Sequence, residues 1–382
     1  MSRLPLNRED IEKREKATLG PYAALSGESK GRVYPQEEHP LRTSFQRDRD
    51  RIVHSAAFRR MEYKTQVFIP HEKDHYRTRL THTIEVAQIS RTLARNLLLN
   101  EDLAEAIALV HDVGHTPFGH AGEDVLNGLL KKSGGFNHNR QSLRVVDVLE
   151  RRYPEHPGLN LSYEVREGIV KHETTVKIDI PEFNPGQQPT LEAALVDIAD
   201  EIAYNSHDID DGLSSGLITF DDLHDTQFFK FPGMDTGSPR GDDEAGYRRY
   251  ALIRQLVNRM TTDVVEETRR RLNRQDIRTL NDVRNSSEKL CGYSAQMAQM
   301  VLEIKQFLLD HLYRNSHLVS LSDWAAEIIQ FLFRTFAADM SLLPSRFQKM
   351  LDGEKPDIVI ADYIAGMTDR YATEKYGQLR GR

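Results

Sequence analysis

The 382-residue chain has one cysteine, Cys291, and one tryptophan. It also lacks any apolar run near the roughly 20 residues that a membrane-spanning helix needs. A single cysteine excludes a disulfide framework and any zinc site built on thiolates. The first residues, MSRLPLNREDIEKREK, are charged where a secretory signal would be apolar, so a cytoplasmic protein with no membrane partner is expected. Positive charge is not in excess either: 51 Lys+Arg face 58 Asp+Glu, for a net charge of -7. That balance argues against broad nucleic-acid affinity while permitting a local basic groove. With 39% hydrophobic and 29% charged residues, the composition is that of a soluble globular protein. Histidine is what the chain has in quantity. Of 15 histidines, 11 lie between His54 and His207. Without thiolates, a metal site here must combine His with Asp or Glu, the donor set of catalytic rather than structural metals.

Residues 1–41 are polar and broken by Pro5, Pro21, Pro35 and Pro40, which reads as an irregular N-terminal arm. From about residue 42 apolar residues recur at helical spacing, as in Leu80, Ile84, Ala87 and Leu103, Ile107, Val110. The same pattern predicts helices over 119–132, 140–152, 190–213, 245–273, 294–316, 319–339 and 356–374. Only 174–180, TTVKIDI, alternates as a strand would. The segment 232–246, rich in Gly, Pro and Asp, has no apolar periodicity and reads as a mobile loop. An all-α fold follows, with few or no strands: a core over 42–220, and helices over 221–382 that complete the same domain.

The chemistry is densest in AIALVHDVGHTPFGHAGE, residues 106–123. An apolar helix runs into His111-Asp112 and stops at Gly114, a residue suited to a left-handed C-terminal position. A charged Asp112 after such a run is costly to bury unless it is paired or binds a metal. His82 shares a helical stripe with Val86, Ile89 and Leu93, which aims it at the core. Asp200, Tyr204 and Asp208, spaced by four, put polar groups on one face of an otherwise apolar helix. Each feature alone has an ordinary structural explanation. Together, His82, His111, Asp112 and Asp200 form a plausible divalent-cation set with open coordination positions. His120 and Glu123, at i and i+3, share one helical face, where a carboxylate orients an imidazole for proton transfer. Six arginines fall between Arg42 and Arg60, and the RDRDR tract among them reads as self-paired charge more than as a phosphate surface.

The segments RDRDRIVHSAAFRRMEYKTQVF, DHYRTRLTHTIEVAQISR, ALVHDVGHTPFGHAGEDVLN, GGFNHNRQSLRV and DIADEIAYNSHDIDDGL, with DYIAGMTDRYA further on, resemble the dGTP triphosphohydrolase (dGTPase-like) family. That family belongs to the HD superfamily of metal-dependent phosphohydrolases. The resemblance implies an HD-domain helical fold with additional C-terminal helices. It implies hydrolysis of deoxynucleoside triphosphates to the deoxynucleoside and inorganic triphosphate. It assigns His82, His111, Asp112 and Asp200 to a divalent metal (Mg, Mn, Fe or Ni) and His120, Glu123 and His138 to catalysis. Arg79 and His115 correspond to residues beside the phosphates, Gln66 and Asp208 to those holding the sugar 3′-hydroxyl, and Tyr204 to the ring beneath the deoxyribose. By the same resemblance, a dNTP is an activator as well as a substrate, the chain assembles as a homo-hexamer, and single-stranded nucleic acid is a partner. Two other readings use the same motifs: an HD phosphodiesterase or nucleotidase acting on another nucleotide, and a nucleotide sensor or single-stranded nucleic-acid binder that retains the fold.

Overall fold

Helical periodicity carries through the chain in a computed structural model that describes residues 6–66, 77–172, 178–224, 226–230 and 244–381. Among the described residues there are seventeen α-helices and no strand. In chain order they begin with α1 (Arg8–Thr18), α2 (Ser44–Val53), α3 (Ala56–Arg60), α4 (Arg79–Asn96), α5 (Glu101–Val110) and α6 (Gly119–Leu129). Next come α7 (His138–Arg144), α8 (Tyr163–Lys171), α9 (Leu191–Ser215), α10 (Phe220–His224), α11 (Glu244–Arg274) and α12 (Leu280–Asn285). The last five are α13 (Ala295–Leu308), α14 (Ser316–Ala338), α15 (Ser345–Gln348), α16 (Pro356–Ala365) and α17 (Asp369–Arg380).

The segment read as an irregular arm differs from expectation, since it carries α1. This helix buries none of its residues and starts with a capping box, in which Asn7 accepts from the Asp10 amide and Asp10 accepts from the Asn7 amide. Most of the strand candidate 174–180 and nearly all of the loop 232–246 lie outside the described residues, as do His71 and His75; Ile178–Ile180 form no strand. The helix expected over 356–374 is broken at Gly366 into α16 and α17.

Two buried clusters organise the helices. The larger is built on α2, α4, α5, α8 and α9, with α11 and α13 packed against α9. Seven of the ten residues of α5 are buried, as an apolar circumference requires of a helix enclosed by neighbours. The 25-residue α9 is capped by Thr190, ends at Gly216 in the left-handed region and crosses this core. The second cluster joins α6 to α14, α16 and α17. The helices after residue 220 therefore divide between the two clusters, and α6, which carries His120 and Glu123, belongs to the second. No described helix is long and apolar enough to cross a membrane.

Candidate active site

Three helices of the first core meet at the HD pair. His82 lies in the first turn of α4, whose capping box of Thr78 and Thr81 fixes where the helix starts. His111 caps the C-terminus of α5, and Asp112 follows it. Asp200 projects from the middle of α9. His82 Nε2 is 2.9 Å from Asp200 Oδ1, and His111 Nε2 is 3.4 Å from Asp112 Oδ1 and 3.8 Å from Asp200 Oδ1. His111 Nδ1 lies 2.6 Å from the Ala108 carbonyl oxygen, which only accepts, so that nitrogen carries the hydrogen. Nε2 then holds a lone pair, is buried, and has no hydrogen-bond partner among the described residues. A buried lone pair facing two carboxylates is unfavourable unless a cation sits between them, so the donors present fit a divalent metal. Burial lowers the His111 pKa and keeps the ring in this neutral form. Burial opposes charge on Asp112, yet His111, His115 and Arg79 hold its carboxyl well below the usual carboxylate range. All four expected ligands are thus brought together.

Arg79, the first residue of α4, is buried and donates to Asp112 Oδ2 at 2.9 Å. Its Nε has no hydrogen-bond partner among the described residues. The guanidinium is therefore held beside the cation cluster with donor capacity in reserve.

Gly114 brings the second group of histidines to this cluster, and not by the left-handed conformation the sequence suggested: its φ is not positive. A Cβ there would lie 2.2 Å from the Ser142 amide nitrogen and 2.4 Å from the His138 carbonyl oxygen. The residue is needed so that the start of α7 can press against the HD turn. His138 then stacks on buried His115, with ring centroids 4.0 Å apart. Glu123 accepts from the His138 amide at 2.9 Å and lies 2.9 Å from His138 Nδ1 with both carboxylate oxygens. His120 Nδ1 is 3.6 Å from Glu123, with 73% of its side chain exposed. The His120–Glu123 pair is thus part of a three-membered cluster in which the carboxylate lies closer to His138. Burial works against the charge on Glu123, but hydrogen bonds with His120 and His138 hold its pKa far below the usual range. α6 itself begins at Phe118 in the left-handed region, φ 62°, a conformation strained for an aromatic residue. The Phe118 amide donates to Asp369 at 2.9 Å, and its ring packs edge-on against Trp324.

A cavity of about 350 Å³ opens beside these groups. Gln66, Arg79, His120 and Tyr204 line it, together with Tyr313, which sequence reasoning did not single out. Gln66 Oε1 is buried and has no hydrogen-bond partner among the described residues. Tyr204 and Tyr313 stack with centroids 6.2 Å apart, and the Tyr313 hydroxyl donates to Asp208. Asp208 does not line the cavity. It lies buried behind Tyr313, with its carboxyl pushed up to about 7 by burial. Tyr313 sits in a π-helical turn far along the chain, and nothing in its local sequence marks it.

His172 and His207 were also missed. His207 Nε2 is 2.7 Å from Glu85, and its Nδ1 is 3.4 Å from His82 Nδ1. His172, just past α8, lies with its ring 5.2 Å from that of His111, and its Nε2 is 3.6 Å from Asp200 Oδ2. The available signal was Asp197, one turn before Asp200 on α9, whose carboxylate lies 2.5 Å from His172 Nδ1. The arginines of 42–60 are absorbed largely by the protein. Arg42 pairs with Asp50, Arg49 with Asp102 and Glu105, and Arg60 with Glu150, while Arg51 donates to the Leu159 and Asn160 carbonyls.

An HD pair at a helix end, completed by a histidine and an aspartate from two crossing helices, defines an HD-domain phosphohydrolase. Residues 79–205 match the HD domain family, and residues 291–378 match the phosphohydrolase-associated domain. A deoxyguanosinetriphosphate triphosphohydrolase-like protein of Geobacter sulfurreducens is 46% identical over 379 residues, covering 98% of both chains. Proteins of the same name from Thiobacillus denitrificans and an Azoarcus species are each 48% identical, covering 95% and 94% of this chain and 97% and 96% of their own. The chain belongs to the deoxyguanosinetriphosphate triphosphohydrolase-like family of HD-domain proteins.

Proposed function

We propose that the chain hydrolyses deoxynucleoside triphosphates, dGTP among them, to the deoxynucleoside and inorganic triphosphate, using a divalent cation held by His82, His111, Asp112 and Asp200. The observation that carries this reading is the cavity: two stacked tyrosines, an open Gln66 acceptor, a buried arginine and an exposed histidine surround one space. A simple phosphodiesterase site needs the cation cluster but not this combination. When bound, the cation supplies Lewis-acid polarisation of a phosphoryl oxygen. Arg79, fixed on Asp112, stabilises the negative charge that develops at the α-phosphate. His120 reaches into the cavity and moves a proton at the leaving 5′-oxygen or the attacking water. Glu123 orients it and, with His138, keeps the pair in one geometry. His115, stacked on His138, backs this group near the phosphates. Gln66 accepts from the sugar 3′-hydroxyl. Tyr204, braced by Tyr313 and through it by Asp208, fills the space that a 2′-hydroxyl would need and so excludes ribonucleotides.

The decisive experiment supplies each dNTP alone, then all four together, with Mg or Mn, and resolves the products. Deoxynucleoside and inorganic triphosphate in equal amounts, lost in His111→Ala, support the reading. Release of phosphate or pyrophosphate would overturn it in favour of a nucleotidase or phosphodiesterase. Activity confined to the mixture would add an activating dNTP to the substrate.

A further inference from the structure

The cation cluster extends beyond the HD motif. His111, His172 and Asp200 offer donor atoms that all lie within 4.8 Å of one another, as do those of His82, His111 and Asp112. The two groups share His111. Metal bonds of about 2.0–2.2 Å at octahedral or tetrahedral angles set neighbouring donors roughly 3.0–3.6 Å apart. His111 Nε2 lies 3.4 Å from Asp112, and His172 Nε2 lies 3.6 Å from Asp200. Both spacings are longer than an ordinary hydrogen bond and suit atoms around a common ion. The Asp197 carboxylate lies beside the same ring, 2.5 Å from its Nδ1. Helix register explains the arrangement, because Asp197 and Asp200 stand one turn apart on α9 with the His172 ring against both.

We propose that His172 is a further protein ligand of the cation site, joining His82, His111, Asp112 and Asp200, with the Asp197 carboxylate beside its ring. The proposal rests on the cation reading of the HD cluster and not on the identity of the nucleotide. Five protein donors leave fewer exchangeable positions than four and hold the ion whether or not substrate is present.

The test uses the metal-free full-length protein titrated with Mn(II), with free Mn(II) measured by electron paramagnetic resonance and the coordinated imidazole nitrogens counted by pulsed methods. Three imidazoles are expected in the unaltered protein and two in His172→Gln, whose dissociation constant rises about 10- to 100-fold. Asp197→Asn should retain three imidazoles with a smaller loss of affinity. Circular dichroism checks that each variant keeps its helices, and the count in the unaltered protein decides the matter even if His172→Gln fails to fold. Two imidazoles in the unaltered protein overturn the proposal. So does a His172→Gln protein that binds less tightly with an unchanged nitrogen count, which would make His172 a positioning residue acting through Asp200. Failure of the unaltered protein to take up Mn(II) at all would instead overturn the cation reading on which the proposal stands.

Discussion

Glu123 holds His120 and His138 together, because one carboxylate faces His120 at 3.6 Å and His138 at 2.9 Å. Glu123→Gln keeps the size of the side chain but removes the charge that orients both rings. Turnover should fall by about 100-fold or more, the usual worth of positioned acid–base chemistry, while metal content measured on the purified protein stays the same. Tyr204→Ala opens the cavity wall next to Tyr313. The ratio of kcat/KM for a dNTP to that for the matching ribonucleotide should drop at least tenfold; an unchanged ratio would remove Tyr204 from sugar selection. Residues of this kind were unequally legible. His111 and Asp112 are adjacent, and His120 and Glu123 share a helical face, so the chain itself announces them. Tyr313 and His172 reach the site only through tertiary packing, and a lone Tyr or His in a helical pattern carries no local mark of that.

At the scale of elements, apolar periodicity located the helices well because most of them bury one face, as α5 and α9 do almost completely. It failed for α1, which buries no residue, although the Asn7-x-x-Asp10 capping signal was present, and it gave no range over α8, whose buried face includes Glu164, Arg166 and Glu167. It also misjudged Gly114. The sequence placed a glycine at a helix end, where a left-handed turn is the common use, but contact with α7 is what requires the missing side chain. Gly114→Ala should therefore lower stability by about 1–3 kcal/mol, as overpacking does, and separate His138 from the HD turn. Gly128, near the end of α6, is the control, because among the described residues no atom lies within 4 Å of the place an added methyl would take. Gly128→Ala should raise stability by up to about 1 kcal/mol. Urea unfolding of the two variants measures both effects.

For the whole molecule, Glu192 ties distant parts of the chain together. It sits fully buried at the start of α9 and accepts from the Ala24 amide at 3.0 Å and the Asn100 amide at 3.1 Å. Burial pushes its carboxyl from 4.5 up to about 7, so the folded protein holds this proton more tightly than the unfolded chain does. The stability it contributes is complete below about pH 4.5 and is lost as pH rises to about 7, a change of about 3 kcal/mol. Glu192→Gln should flatten that part of the pH dependence in thermal unfolding between pH 5 and 7.5, leaving the variant less sensitive to alkalinisation than the parent.

The backbone bonds of Asp369 have a consequence for modularity. This residue of α17 accepts from the amides of Thr65 and Phe118, and Lys64 donates to the carbonyls of His115 and Ala365. The C-terminal helices thereby hold the strained start of the helix that bears His120 and Glu123, yet they contribute none of the HD donors. Asp369→Ala would keep every proposed cation ligand and the α13–α9 packing, and would lose the anchor of the helix that bears His120 and Glu123. Cation uptake without turnover is the expected phenotype. On the proposed function, metal loading and catalysis are in this sense separable, and loosening the contact of α17 with the start of α6 would disengage the second while leaving the first intact.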